Sequence, residues 1–146
     1  MNQTSFGSGR VLCLDFGDAR IGVAISDPDR RLALPIGTVQ TGPPEDVKAI
    51  VALAAENAVT LVVVGHPRSM SGASGPRARH AERFAAVLRD ALDIPVELHD
   101  ERLSTVEAER SLREAGVLGA RRRQVVDQTA ATVILQSWLD SHPSEP

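Results

Sequence analysis

Three acidic positions carry the chemistry open to this chain: Asp15, Glu101 and Asp127. Asp15 closes the apolar run Val11-Leu12-Cys13-Leu14 and leads into Phe16-Gly17-Asp18-Ala19-Arg20-Ile21-Gly22. A strand this apolar reads as buried on both faces, where an unpaired ionised carboxylate costs several kcal/mol, so a cation is expected to compensate it. A metal ion would serve, as would the phosphate-Mg²⁺ group of a nucleotide. Asp100-Glu101-Arg102 follows the last short apolar strand, and strand ends of this kind line ligand crevices. Asp127 falls beside Ala130, Ala131, Ile134 and Trp138 on a closing helix, the side expected to look toward a sheet. Singly, each acid has a plain structural explanation: Asp15 as a turn former, Glu101 as a partner of Arg102 or Arg20, Asp127 as a partner of Arg123 one turn earlier.

Together the three meet a chemical need. Hydrolysing a phosphodiester takes a water made nucleophilic and a leaving oxygen relieved of charge, and two Mg²⁺ or Mn²⁺ ions about 4 Å apart do both. Such hard cations want carboxylate oxygens. Asp15 would bridge the ions, with Glu101 and Asp127 each completing one side. Without metal, clustered carboxylates repel one another and at least one pKa rises.

The elements that must position these acids follow from periodicity and punctuation. Residues 10–16, 20–27 and 31–39 read as three strands joined by short turns at Gly17 and Pro28-Asp29, hence an antiparallel meander. Pro43 and Pro44 before Glu45 and Asp46 start a helix whose inward face is Val47, Ile50, Val51, Ala54 and Ala58. Leu61 to Val64 is a buried strand ending at Gly65-His66-Pro67, and its arrival after a helix indicates a parallel crossover. Met70 to Pro76 has loop composition, and Ala81, Phe84, Ala85, Leu88 and Leu92 mark a helix over 77–92. Residues 95–99 form a final short strand. Ser104-Thr105-Val106-Glu107 is a capping box opening a helix that stops at Gly116, and 121–140 is the last helix with Val126, Ala130, Val133, Ile134 and Trp138 inward. This order describes an α/β fold of the ribonuclease H-like kind: a mixed five-stranded sheet, three antiparallel strands then two parallel, flanked by helices. A doubly wound parallel sheet has no room for its helices between residues 17 and 39.

Composition narrows the class further. At 146 residues the chain suits one domain, expected over 10–140 with a disordered tail at 1–9 and a second tail at 141–146. No apolar run approaches the roughly 20 residues needed to span a bilayer, and residues 1–10 lack the apolar centre of a secretion signal, so a cytoplasmic protein without membrane partners is expected. Cys13 is the single cysteine, which excludes an intrachain disulfide and a thiolate zinc site. A net charge of −3 argues against coating nucleic acid by bulk electrostatics, yet arginines cluster at Arg77, Arg79 and Arg83 and at Arg121, Arg122 and Arg123. The guanidinium fork matches phosphate oxygens, and three Phe, one Trp and no Tyr leave few platforms for stacking bases. Recognition is therefore expected to rest on phosphates and shape, in branched DNA or structured RNA.

Four blocks make the chain recognisable: residues 15–27 from Asp15-Phe16-Gly17 to Ser26-Asp27, Val63-Val64-Gly65-His66-Pro67, residues 100–109 opening Asp100-Glu101-Arg102-Leu103-Ser104, and Val126-Asp127-Gln128-Thr129-Ala130-Ala131. They resemble the motifs of the YqgF family, also called RuvX, which is similar to the RuvC Holliday-junction resolvases and shares their ribonuclease H-like fold. Members are described as resolvases or as nucleases maturing the 5′ end of the small-subunit (16S) rRNA precursor. The resemblance implies a metal-binding catalytic triad at Asp15, Glu101 and Asp127 using Mg²⁺ or Mn²⁺. It also implies that Arg20 and Arg102 orient carboxylates or hold the scissile phosphate; Asp100, read from its place at the strand end, is a candidate auxiliary. Two residues depart from the family pattern: His66 stands where leucine is common, and Asp18 where an uncharged residue is common. His66 reads either as a proton carrier near the metal or as a satisfied strand-end histidine. Two rivals remain. One is a single phosphate-binding lobe of the actin and sugar-kinase type, although such ATPases close two lobes and this chain has length for one. The other is a non-catalytic module that binds nucleic acid or the ribosome. A second copy of the chain is left open as a partner.

Overall fold

Alternating apolar residues and short punctuated turns produce the sheet. In the computed structural model, which describes residues 8–67, 75–100 and 119–143 (backbone alone for 119–129), β1 (Arg10–Asp15), β2 (Arg20–Ser26) and β3 (Ala33–Gln40) form the antiparallel meander. Helix α1 (Glu45–Glu56) leads into β4 (Val59–His66), and α2 (Pro76–Ala91) leads into β5 (Val96–Asp100). The closing helix is α3 (Gly119–Ser141). β4 lies parallel to β1 and β5 parallel to β4, giving the sheet order β3-β2-β1-β4-β5. The expected helix over 104–116 lies outside the described residues.

The centre of the sheet is buried on both faces because both sides of β1, β2 and β4 are apolar, whereas the edge strand β3 is largely exposed. Leu12, Leu14, Val62 and Val64 pack with Ile50 of α1 and Ala81, Phe84 and Leu88 of α2, whereas Val11, Cys13 and Val63 pack with Ala131, Ile134, Leu135, Trp138 and Leu139 of α3. Cys13 is fully buried packing, as its place in β1 suggests. The inward stripe of α3 is rotated from the expected one. Ala130 and Val133 are only half-buried, while Ala131, Leu135 and Leu139 are sealed. A helix with apolar residues on adjoining stripes leaves its rotation to the surface it meets. Ala58 also differs: it is exposed and follows the helix at a φ of 53°, so it belongs to the turn into β4.

One end of the sheet is closed by a dense set of polar contacts. Arg30, buried in the β2–β3 turn, donates from Nε to Gly9 O (2.9 Å) and from one terminal nitrogen to Ser8 O (3.1 Å) and Thr60 Oγ1 (2.9 Å). Its guanidinium lies 5.9 Å from the Trp138 ring centroid, and Trp138 Nε1 donates to Glu97 Oε1 at 3.2 Å. Gln136 bonds the segment entering β3 twice: Ala33 N donates to its Oε1 and its Nε2 donates to Arg31 O. The end of α3 is thereby held where β1, β4 and β5 begin.

Candidate functional site

Because β1, β4 and β5 are parallel, their last residues share the opposite end of the sheet: Asp15, His66 and Asp100. The β1–β2 turn, the start of β2 at Arg20 and the first turn of α2 belong to this end as well. Asp15 follows Val11 and Cys13 by strand alternation, which sets it on the α3 face, and Phe16 turns the other way to meet Phe84 of α2 in a tilted ring contact, centroids 4.8 Å apart. Asp15 is half-buried. Its in-register neighbour on β2 is Gly22, and the pairing of Leu14 with Val64 brings Gly65 alongside on β4. Neither neighbour has a side chain, so the carboxylate is flanked by backbone on both sides.

The turn after Asp15 is pinned. A Cβ on Gly17 would lie 2.6 Å from Arg20 O, so only glycine lets the turn close this tightly. Thr41 Oγ1 donates to Gly17 O at 2.7 Å and Thr41 N donates to Ala19 O at 3.1 Å. The buried Asp46 then accepts from Gly42 N at 3.1 Å and ties the segment to α1. Sequence reading missed Thr41 and Asp46; the Thr41-Gly42-Pro43-Pro44 stretch gives no sign of a contact to a turn more than twenty residues earlier.

The other expected residues fall as follows. Arg20 is exposed at the start of β2, and Arg77, Arg79 and Arg83 are exposed on the first two turns of α2. Asp100 ends β5 opposite His66. His66 lies on the α2 face, away from Asp15, with its Nε2 2.6 Å from Glu82 Oε2. It is a strand-end histidine satisfied by a carboxylate, and no local spacing predicts its partner sixteen positions on. His99, on the α3 face, meets Ser137 Oγ at 3.2 Å; burial and then the nearby His142 hold its pKa below the ordinary imidazole range, against the opposing pull of Asp100 and Glu97. Position 127 is in the early part of α3, one turn before the buried Ala131, and Arg121, Arg122 and Arg123 are in the first turn or so of the same helix. The side chains of these four, and all of Glu101 and Arg102, lie outside the described residues. Among the described residues no three His, Cys, Asp or Glu side chains converge on a common point, and no helix is long and apolar enough to cross a membrane.

An aspartate ending the first strand of a β-β-β-α-β-α-β sheet, with a long closing helix on its own face, defines a ribonuclease H-like domain. The solved structure of T. thermophilus RuvC in complex with a Holliday junction substrate has this fold, at a TM-score of 0.53 and 18% identity over 90% of this chain and 94% of that one. The family model described as "RuvX: Holliday junction resolvase" matches residues 9–141, and the chain belongs to that family. Relatives carrying the name "Putative pre-16S rRNA nuclease" include one from Chloroflexus aurantiacus, 49% identical over 93% of this chain and 90% of the relative. Another, from Pelotomaculum thermopropionicum, is 51% identical over 90% of this chain and 87% of the relative.

Proposed function

We propose that this protein is a divalent-metal-dependent nuclease that hydrolyses phosphodiester bonds in structured nucleic acid, with the small-subunit rRNA precursor as its first candidate substrate and the four-way DNA junction as its second. The observation that carries the reading is Asp15: a half-buried carboxylate at a strand end, flanked by two glycines, on the face covered by the helix that bears Asp127. Helix geometry supports a meeting of the two. Gln136 bonds Ala33, which pairs with Ser26, whose Oγ accepts from Val11 N, so Gln136 is level with the start of β1. Position 127 lies about 13 Å back along the helix from there, and Asp15 lies about 13 Å along the strand from Val11. Glu101 follows Asp100 directly in the chain, one residue past the end of β5.

Asp15, Glu101 and Asp127 would hold Mg²⁺ or Mn²⁺, and three carboxylates suit hard, oxygen-seeking cations. When bound, the metal supplies positive charge for the attacking water and the leaving oxygen. The protein's own part is orientation. The pinned turn fixes the direction of Asp15, and Arg20 beside it presents a guanidinium to a phosphate at the same sheet end. Arg77 and Arg79 on α2, Arg121 to Arg123 from the start of α3, and Arg102 would supply the remaining cations for the phosphates. The names of relatives near 50% identity favour the rRNA precursor over the junction as substrate. Side-by-side digestion of an rRNA-precursor hairpin, a four-way junction and linear controls with Mn²⁺ tests the proposal. Metal-dependent cleavage of a structured substrate, lost in Asp15→Asn, is the expected result; equal cleavage by the variant, or none by the wild type, overturns it.

A further inference from the structure

His66 and Glu82 form a short carboxylate–imidazole pair between the end of the strand next to β1 and the second turn of α2, with side chains 14% and 37% exposed. The pair sits on the face opposite Asp15, so its natural target is α2 itself. That helix begins at Gly75 without a side-chain cap, and its early turns are held to the sheet by the buried Ala81, by Phe84 against Phe16, and by this pair. Phe16 directly follows Asp15. The two contacts at positions 82 and 84 therefore set the arginine-bearing turns of α2 against the two strand ends nearest the candidate site. Exposed Arg79 and Arg83 are adjacent on the helix surface at i and i+4, the spacing at which two guanidinium groups lie along one stripe.

We propose that His66 is a positioning residue: acting through Glu82, it holds α2 so that Arg79 and Arg83 meet a phosphate backbone lying across the acid-bearing end of the sheet, an inference that rests on the nucleic-acid reading above. His66 touches no reacting atom. Its loss is expected to weaken substrate binding and leave the chemical step unchanged, by displacing the arginines from their phosphates.

The test combines cleavage kinetics in Mn²⁺ with equilibrium binding of a fluorescent four-way junction and an RNA hairpin to metal-free protein. His66→Leu is expected to raise KM and the metal-free Kd by about threefold to tenfold, the effect of displaced charge-assisted contacts, with kcat within about twofold of wild type. His66→Gln, whose amide can still donate to Glu82, is expected to restore most of the affinity. In a background carrying Arg79→Ala and Arg83→Ala, His66→Leu is expected to add nothing, because residues acting in series are not additive. A fall in kcat at unchanged KM, additive losses in the cycle, or no rescue by glutamine would overturn the proposal. Binding without cleavage by the wild type would sink the nuclease reading alone, cleavage with no effect of His66→Leu on KM would sink this proposal alone, and neither binding nor cleavage of either probe would sink both.

Discussion

Where the parallel strands begin, Arg30, Trp138, Glu97 and Gln136 join separate chain segments through hydrogen bonds and a ring contact; where they end, among the described residues, Thr41 and Asp46 support the backbone of the turn after β1 and several arginines are exposed. The first end behaves as a foundation. It ties the β2–β3 turn, the starts of β1 and β4, and the end of α3 into one unit, with the Trp138 indole stacked on His142 at 4.1 Å. At the other end, Thr41 and Asp46 hold the turn below Asp15 while Arg20, Arg77, Arg79 and Arg83 face solvent. The contrast teaches a division along one sheet: a packed, hydrogen-bonded base at one end, and at the other exposed arginines beside the strand-end acid, where the proposed polyanion would approach.

The sharpest way to break this comparison is to move one substitution to each end. Asp15→Asn is expected to lower kcat for structured nucleic acid on the order of a thousandfold, because it removes a charge from the proposed reaction centre, while the thermal midpoint stays close to wild type. Differential scanning calorimetry beside a cleavage assay checks both halves, and a collapse of the midpoint would mean that the acid is structural. Trp138→Ala should do the reverse. Removing a buried indole is expected to cost about 3 kcal/mol and roughly 10 °C in Tm, with cleavage per folded molecule far closer to wild type than in Asp15→Asn.

Metal supplies a smaller, more selective probe. Mn²⁺ at a hundredfold excess over its Kd stabilises a native state that alone binds it by about 2.7 kcal/mol, so Tm is expected to rise by several degrees in wild type and to stay flat in Asp15→Asn. An equal rise in both would place the ion elsewhere. The smallest effect concerns acid. The Asp27 carboxylate accepts from Arg31 N and Leu32 N at 2.8 Å each, and these backbone donors, Leu32 foremost, hold its pKa below the usual carboxylate range against a modest opposing effect of burial. Its contribution is therefore present above the unfolded value and lost as pH falls through the folded one. Asp27→Asn is expected to flatten the acid limb of a Tm-versus-pH curve below about pH 4, where the unfolded aspartate titrates, and to leave the limb above pH 6 unchanged.

Much of this molecule was legible in advance. Alternation in Ile21, Val23 and Ile25, the proline start before Glu45 and the loop composition before Pro76 each depend on residues a few positions apart, and the strands, helices and crossover order follow them closely. β4 runs longer than its apolar kernel, Val59 to His66, because pairing with β1 and β5 extends a strand past the residues that nominate it. The rotation of α3 was not legible, since Ala130 and Ala131 are equally apolar and only the sheet chooses between them.

By itself, then, the amino-acid order determined the element types, the mixed sheet and the candidates Asp15, Glu101 and Asp127, because local periodicity and turn chemistry act between near neighbours. Tertiary structure alone decided that Asp15 and His66 occupy opposite faces, that glycines flank the acid, and that Glu82 claims the histidine. Those facts depend on strand register and helix docking, which join residues whose separation along the chain carries no signal of their contact.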